Sequence, residues 1–366
     1  MLSIDYSKQR QKRLLEVIQR RKLDAIVVGL PAHVQYYSAW LPSWLHQAGF
    51  VLFADGRSLL ISPNAAVVNS AADQVVPYEA NWTSTLRQEQ PMAVADKIAE
   101  ALSSRRAMSV GVDASAVSSQ LVMAFDGSCT SIDPEIWQLR RRKDSDELEL
   151  MKTAIRCCEA MYARARQIVV PGVSELSVFA ELHSVAIQTA GEPMTALLGN
   201  DYQCGSKGGP ARKNHVAHAG QLYILDLGPT FQGYFSDNAR TFCVDRKPTD
   251  AQMKAWESVA AALKMVEQMA RPGVRCQDLF KAVDEHFKTT MNTGLSHHLG
   301  HGVGLQPHEY PHLNPMWDDV LMEGDIFTAE PGQYAPEIGG GIRLENQYRV
   351  TKEGVENLLN FPLEMI

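Results

Sequence analysis

The chain has no C-x-x-C pair; its six cysteines (Cys129, Cys157, Cys158, Cys204, Cys243 and Cys276) are scattered along it. That pattern argues against both a disulfide framework and a thiolate zinc site. No stretch approaches the roughly 20 apolar residues of a membrane span, and the charged segment from Met1 to Lys22 lacks the apolar run of a secretory signal. Cations are in deficit: 35 Lys and Arg stand against 42 Asp and Glu, a net charge of −7, with no basic stripe to meet a phosphate backbone. What remains is a globular composition, 45% hydrophobic and 21% charged. It points to a cytoplasmic protein with neither membrane nor nucleic acid as partner.

At 366 residues the chain is long for one core and suits two domains. The first third alternates helix and strand. Residues 6–22 carry Leu14, Val17 and Ile18 on one helical face. Residues 24–30, 49–55, 58–62 and 108–113 are short apolar runs bounded by turn residues, and 92–106 is amphipathic. Tyr36, Trp40, Trp44, His46 and Trp82 are expected in its core. The basic run 139–144 reads as a solvated boundary, giving domains over 1–140 and 145–366. A long helix follows, from Ser145 to about Val169.

Beyond it the sequence echoes itself. Pro171-Gly172-Val173, Phe179 and Gly191 are matched by Pro272-Gly273-Val274, Phe280 and Gly294, as two related halves about a pseudo-twofold would require. Each half runs into a hairpin with two carboxylates. A turn at Phe231-Gln232 makes Asp226 and Asp237 direct cross-strand partners, and the midpoint of Glu330 and Glu345 falls between Glu337 and Ile338. Like charges so placed repel unless something cationic lies between them. The two hairpins therefore read as the halves of a metal cage.

Five of the eleven histidines crowd between His297 and His312. Gly300, Gly302 and Gly304 disfavour a helix there and suit an extended segment whose backbone comes close to something else; their spacing is not that of a phosphate-binding loop. Four carboxylates and an imidazole make a hard, oxygen-rich donor set, suited to manganese, cobalt, zinc or iron(II), whose charge balances two dications.

The hairpin ending in Arg240-Thr241-Phe242, the run from Gly300 to Glu309, Glu330-Pro331-Gly332 with Tyr334, and Gly341-Ile342-Arg343-Leu344-Glu345 follow one another as in pita-bread metallopeptidases. The chain resembles that family strongly over residues 145–366, and its first third resembles the creatinase-type N-terminal domain of aminopeptidase P and prolidase. The resemblance implies a creatinase-type α/β domain followed by an α+β pita-bread catalytic domain with pseudo-twofold halves. It implies a hydrolase of X-Pro bonds at peptide N-termini or in dipeptides, working through a metal-bridging hydroxide; a homodimer is expected as the common default among soluble oligomers. By the same resemblance Asp226, Asp237, His301, Glu330 and Glu345 hold two divalent ions, manganese first among the candidates. Asp226 would serve one ion, His301 and Glu330 the other, with Asp237 and Glu345 spanning both. Glu330 would manage the proton, His308 would steady the intermediate, His297 would stand at the mouth, and Tyr334 and Arg343 would support the ligands from behind.

Three positions depart from the family pattern. The upstream substrate-side histidine falls near Gly209, the usual Thr before Arg240 is Ala239, and residues 311–329 hold no Arg or Lys for a free proline carboxylate. These departures keep a small non-peptide substrate, as in ectoine hydrolases or metal-dependent lyases on this scaffold, as the alternative. A non-catalytic peptide-binding module is a more remote one.

Overall fold

The computed structural model describes residues 1–64, 69–196 and 201–365. Two compact units divide between Arg140 and Arg141.

The first unit is built on a six-stranded sheet ordered β4-β3-β2-β1-β7-β8, from β1 (Ala25–Val28), β2 (Gly49–Phe53), β3 (Ser58–Pro63), β4 (Gln74–Tyr78), β7 (Ser109–Val112) and β8 (Ser128–Ser131). A small hairpin of β5 (Asn81–Trp82) and β6 (Thr85–Leu86) stands apart from it. The helices are α1 (Ile4–Arg21), α2 (Pro31–Ser38), α3 (Gln90–Ser104), α4 (Ser119–Ala124) and α5 (Asp133–Arg141). β1 and β2 are buried along their whole length, as their continuous apolar runs require of central strands. The aromatics divide. Tyr36 is buried, but Trp44 is 87% and Trp82 56% exposed, so the core placement expected for those two is wrong. Both sit outside the regular helices, where no apolar periodicity directs a side chain inward.

The boundary run is not solvated. Arg140, Arg141, Lys143 and Asp144 are all buried. Arg141 makes a two-pronged ion pair with Asp325, Nε at 3.0 Å and Nη2 at 2.6 Å, and Lys143 pairs with Glu309. Partners 184 and 166 residues downstream make this run part of the interior, which local composition could not reveal.

The second unit repeats one plan. In its first half, α6 (Ser145–Ile168) and α7 (Glu175–Ala190) back a sheet ordered β13-β10-β9, of β9 (Asp201–Cys204), β10 (Leu222–Leu227) and β13 (Asn238–Cys243). The hairpin from β10 to β13 is prolonged by β11 (Thr230–Phe231) and β12 (Tyr234–Phe235). In the second half, α8 (Asp250–Met269) and α9 (Cys276–Met291) pack with a sheet ordered β15-β14-β16-β19-β20. Its strands are β14 (Gly300–Gly302), β15 (Glu309–Leu313), β16 (Ile326–Ala329), β19 (Asn346–Val350) and β20 (Val355–Asn357). The hairpin from β16 to β19 is prolonged by β17 (Gly332–Ala335) and β18 (Gly340–Arg343).

Helix starts are locally encoded. The Asp144 backbone donates to Glu147 at the head of α6, and Thr249 and Gln252 exchange hydrogen bonds at the head of α8. The Pro-Gly-Val echo also has a structural meaning. Gly172 donates to Ala217 (2.8 Å) and Ala217 to Val173 (2.8 Å); Gly273 donates to Leu321 (2.9 Å) and Leu321 to Val274 (2.9 Å). The same pair of bonds ties each helix–helix corner to its own half. Phe179 and Phe280 pack against the cores of their respective halves.

Candidate metal centre

The two long hairpins carry the carboxylates at or beside their interruptions: Asp237, Glu330 and Glu345 in the breaks, and Asp226 one pair below, within β10. In the glutamate hairpin Ala329 lies opposite Asn346 and, further out, Gly332 opposite Arg343, in one register. Leu344 donates to Pro331 in between, so Glu330 and Glu345 face each other as their midpoint predicts. The aspartate hairpin is set differently. Asp226 pairs with Ala239 and Leu227 with Asn238, and the turn falls at Gln232-Gly233, both at positive φ (47° and 87°). The turn expected at Phe231-Gln232 is thus one residue early, because glycine is needed for the second left-handed position of a two-residue loop. Asp237 becomes the diagonal rather than the direct neighbour of Asp226. Diagonal neighbours stand about 7–8 Å apart instead of about 5 Å, on the same face, which leaves room for an ion.

Backbone bonds join the two hairpins. Glu345 N–H donates to Ala239 O at 2.9 Å, and Arg343 and Thr241 exchange bonds through the threonine hydroxyl at 3.0 Å. Buried Arg240 donates to the carbonyls of Ala239 (2.8 Å) and Glu345 (2.7 Å) and to the Asn346 side chain (2.9 Å). This stitching, from the Arg-Thr that follows the aspartates, brings Asp226, Asp237, Glu330 and Glu345 into one buried cluster.

His301 enters from β14, whose glycines allow it. A Cβ on Gly300 would collide with the Thr328 carbonyl, and one on Gly302 with the Tyr310 carbonyl. His301 Nδ1 lies 3.0 Å from the Gly302 carbonyl and donates to it, turning Nε2 to the carboxylates, 3.4 Å from Glu330 and 3.8 Å from Asp237. Burial lowers the pKa of His301, but the hydrogen bond and charge of Glu330 prevail and raise it to about 9, so the Nε2 proton must leave before that nitrogen can bind an ion. Two groups of donor atoms lie within 4.8 Å of one another: Asp237, His301 and Glu345, and Asp226, Glu330 and Glu345. A third joins His297, His298 and Glu330.

The electrostatics are those of a site built for cations. Burial, then the neighbouring carboxylates, pushes Asp237 and Glu345 well above the usual carboxylate range. Burial opposes ionisation of Glu330 too, but its hydrogen bond and charge interaction with His301 prevail and hold it at about 2. Both oxygens of Glu345 are buried with no hydrogen-bond partner. A buried carboxylate without donors is costly, and divalent ions are the partners that this hard donor set fits.

Around the cluster, Arg343 Nη1 reaches Asp226 (2.6 Å) and Asp201 (2.8 Å), and its Nε donates to the Tyr334 hydroxyl (2.9 Å). The Tyr334 hydroxyl donates a hydrogen bond to His297 Nε2 at 3.0 Å, while His297 Nδ1 donates to the His298 carbonyl at 2.7 Å. That chain of donors fixes His297 as a neutral imidazole. His308 stacks on His301 with ring centroids 3.7 Å apart, and burial together with the charges of His301 and His298 lowers it to about 4. Two members of the site were missing from the sequence reading. His298, with Nδ1 at 3.4 Å from Glu330, hid beside His297; its neighbour's motif drew the attention. Asp201 lies in no motif, and only strand pairing brings it in.

A pair of helix-backed halves whose carboxylate hairpins meet over a histidine strand defines a pita-bread hydrolase that depends on divalent metal. Residues 149–352 match metallopeptidase family M24 and residues 10–141 the creatinase/prolidase N-terminal domain, and the chain belongs to that peptidase family. It is similar to the Xaa-Pro dipeptidase of Pyrococcus horikoshii, 25% identical over 99% of this chain and 100% of the relative. Among solved structures, the prolidase from Pyrococcus furiosus is 25% identical with a TM-score of 0.79, covering 95% of this chain and 99% of that one. The Xaa-Pro dipeptidase from Bacillus anthracis shares the fold with a TM-score of 0.84 at 22% identity, covering 98% and 99%.

Proposed function

We propose that this metallopeptidase cleaves the bond between an N-terminal residue and a following proline, with Asp226, Asp237, His301, Glu330 and Glu345 holding two divalent ions, manganese first among them. The observation that carries the reading is Glu345, a member of both donor groups, whose two buried oxygens have no hydrogen-bond partner. Bound ions would polarise the scissile carbonyl and make a water acidic enough to attack at neutral pH.

The chain's own groups supply the rest. His301 presents Nε2 because Gly302 holds its other nitrogen. Glu330 Oε1, ionised and faced by His301 Nε2 and His298 Nδ1, takes the proton from the attacking water and delivers it to the proline nitrogen as it leaves. His308, neutral at pH 7, donates a hydrogen bond to the carbonyl oxygen as its charge grows and adds no cation of its own. His297, locked by Tyr334, borders the same space and can accept no further proton without breaking that bond.

Relatives named for Xaa-Pro cleavage span essentially the whole chain, which favours a peptide over a small non-peptide amide. Among the described residues no helix is long and apolar enough to cross a membrane, and the six cysteines are free, which suits a reducing, cytoplasmic setting. A homodimer completes the reading and is checked by sedimentation. The manganese-reconstituted protein is to be assayed on an X-Pro dipeptide and an X-Pro-X tripeptide. Cleavage of at least one is expected. With no Arg or Lys over residues 311–329, the tripeptide is expected to be no worse a substrate than the dipeptide. Cleavage of neither overturns the proposal.

A further inference from the structure

The stretch around Gly209, where the family pattern places a substrate-side imidazole, is occupied by something else. β9 lies beside β10 in a register that sets Asp201 directly opposite Asp226. Two carboxylates in that relation repel, and here the third party is a guanidinium. Arg343 Nη1 sits between them, 2.8 Å from Asp201 Oδ2 and 2.6 Å from Asp226 Oδ2. The other oxygen of Asp201 accepts the Gly209 N–H at 2.7 Å. Gly208 and Gly209 take φ of 113° and 127°, values that L side chains rarely adopt. A Cβ on Gly208 would run into the Asp201 carboxylate, and one on Gly209 would lie 2.7 Å from Gln203 Nε2. The glycine pair is therefore shaped around Asp201.

We propose that Asp201 is a positioning residue of the metal centre: it holds Arg343 in place and neutralises its charge, so that Asp226 keeps its full negative charge for a divalent ion. The charge count favours this. Asp226, Asp237, Glu330 and Glu345 together balance two dications; Arg343 alone would cancel one of those four charges, and Asp201 restores it. Arg343 needs that check because it is buried, with a side chain only 15% exposed, and bonds directly to a proposed ligand. This inference rests on the ligand set proposed above.

The test is a calorimetric titration of metal-stripped protein with Mn²⁺, using the full chain as wild type, D201N, D201A, R343Q and the D201N/R343Q double variant. Wild type is expected to take up two ions. D201N, nearly isosteric, keeps its circular dichroism and binds one of the two at least tenfold more weakly, and D201A loses no less. In the R343Q background the same D201N change shifts the affinity less than twofold, because Asp201 acts through the guanidinium. Unchanged affinity in D201N overturns the proposal, as does an equal loss in both backgrounds, which would mark a general field effect. If R343Q does not fold, R343K serves as the background. It keeps the cation, so the full D201N loss should persist there, and its absence counts against the proposal. Wild type that binds two ions and cleaves X-Pro while D201N binds like it removes only this role of Asp201. Wild type that takes up no divalent ion removes the ligand set and this inference with it.

Discussion

Each unit buries a cluster of charge, and the two manage it in opposite ways. In the first unit fully buried Asp113 accepts from the backbone of Gly29 and Leu30 and from His33 Nδ1, each at 2.9 Å. Arg140 can only donate, so its 3.1 Å contact makes His33 Nε2 the acceptor and completes a closed circuit. In the second unit Glu345 has both oxygens buried with no hydrogen-bond partner. A buried charge is not in itself a sign of function. Acceptor capacity left over after the protein's own donors are counted is the better sign, and only the second cluster has it.

Removing the oxygen proposed to carry the proton, on Glu330, gives the largest expected effect. Glu330→Gln lowers kcat/KM on an X-Pro peptide by about 10²–10⁴-fold, the usual weight of general acid–base catalysis, while circular dichroism stays that of the folded protein and the thermal midpoint falls, because the ionised carboxylate that His301 stabilises is gone. Turnover retained in that variant would show the open cluster to be as structural as the closed one. The converse change, Asp113→Ala, strands His33 and the amides of Gly29 and Leu30. It is expected to cost about 3–5 kcal/mol in denaturant unfolding without altering Mn²⁺ uptake. A variant that loses metal but not stability would dissolve the contrast.

Metal sharpens it further. Mn²⁺ at about 100 times its Kd should stabilise wild type by about 2.7 kcal/mol. Glu345→Gln should erase most of that gain and, without metal, be the more stable protein, because a repelling carboxylate is gone. Differential scanning calorimetry with and without a chelator reads both arms.

The smallest effect is that of pH. Burial lowers His33 below its ordinary 6.5 despite Asp113. The unfolded chain therefore binds a proton that the folded one refuses. The stability from the closed circuit is complete above about pH 6.5 and declines as pH falls toward the folded value, by at most about 1.4 kcal/mol per unit. A His33→Asn variant should start less stable and lack that slope in unfolding curves between pH 7 and 5.

Much of this was legible in the sequence because it is written in local spacing. The first unit's helices and strands follow their apolar periodicity, and the twin Pro-Gly-Val corners announced the two halves. The glutamate register followed from a midpoint, since nothing interrupts that hairpin's count. The aspartate register did not, because the left-handed turn chose Gly233 over symmetry about Phe231-Gln232. The interior role of Arg141 and Lys143 was hidden because their partners, Asp325 and Glu309, lie far along the chain. Asp201 was invisible for the same reason: its meaning is a pairing across strands, and nothing in its own neighbourhood carries it.

The interrupted hairpins have one further consequence. In each, the ladders on the two sides of the break keep a single register, Ala329 with Asn346 and Gly332 with Arg343 in one, Leu227 with Asn238 and Thr230 with Phe235 in the other. Tip and ladder therefore agree on one count in each hairpin, and a tip changed by a single residue would oppose the pairing that sets Asp226 against Ala239 and Glu330 against Glu345. Exchanging residues in a tip at unchanged length alters the rim and leaves that count in place, which makes length-preserving changes at 232–233 and 336–339 the natural route to new selectivity on this scaffold.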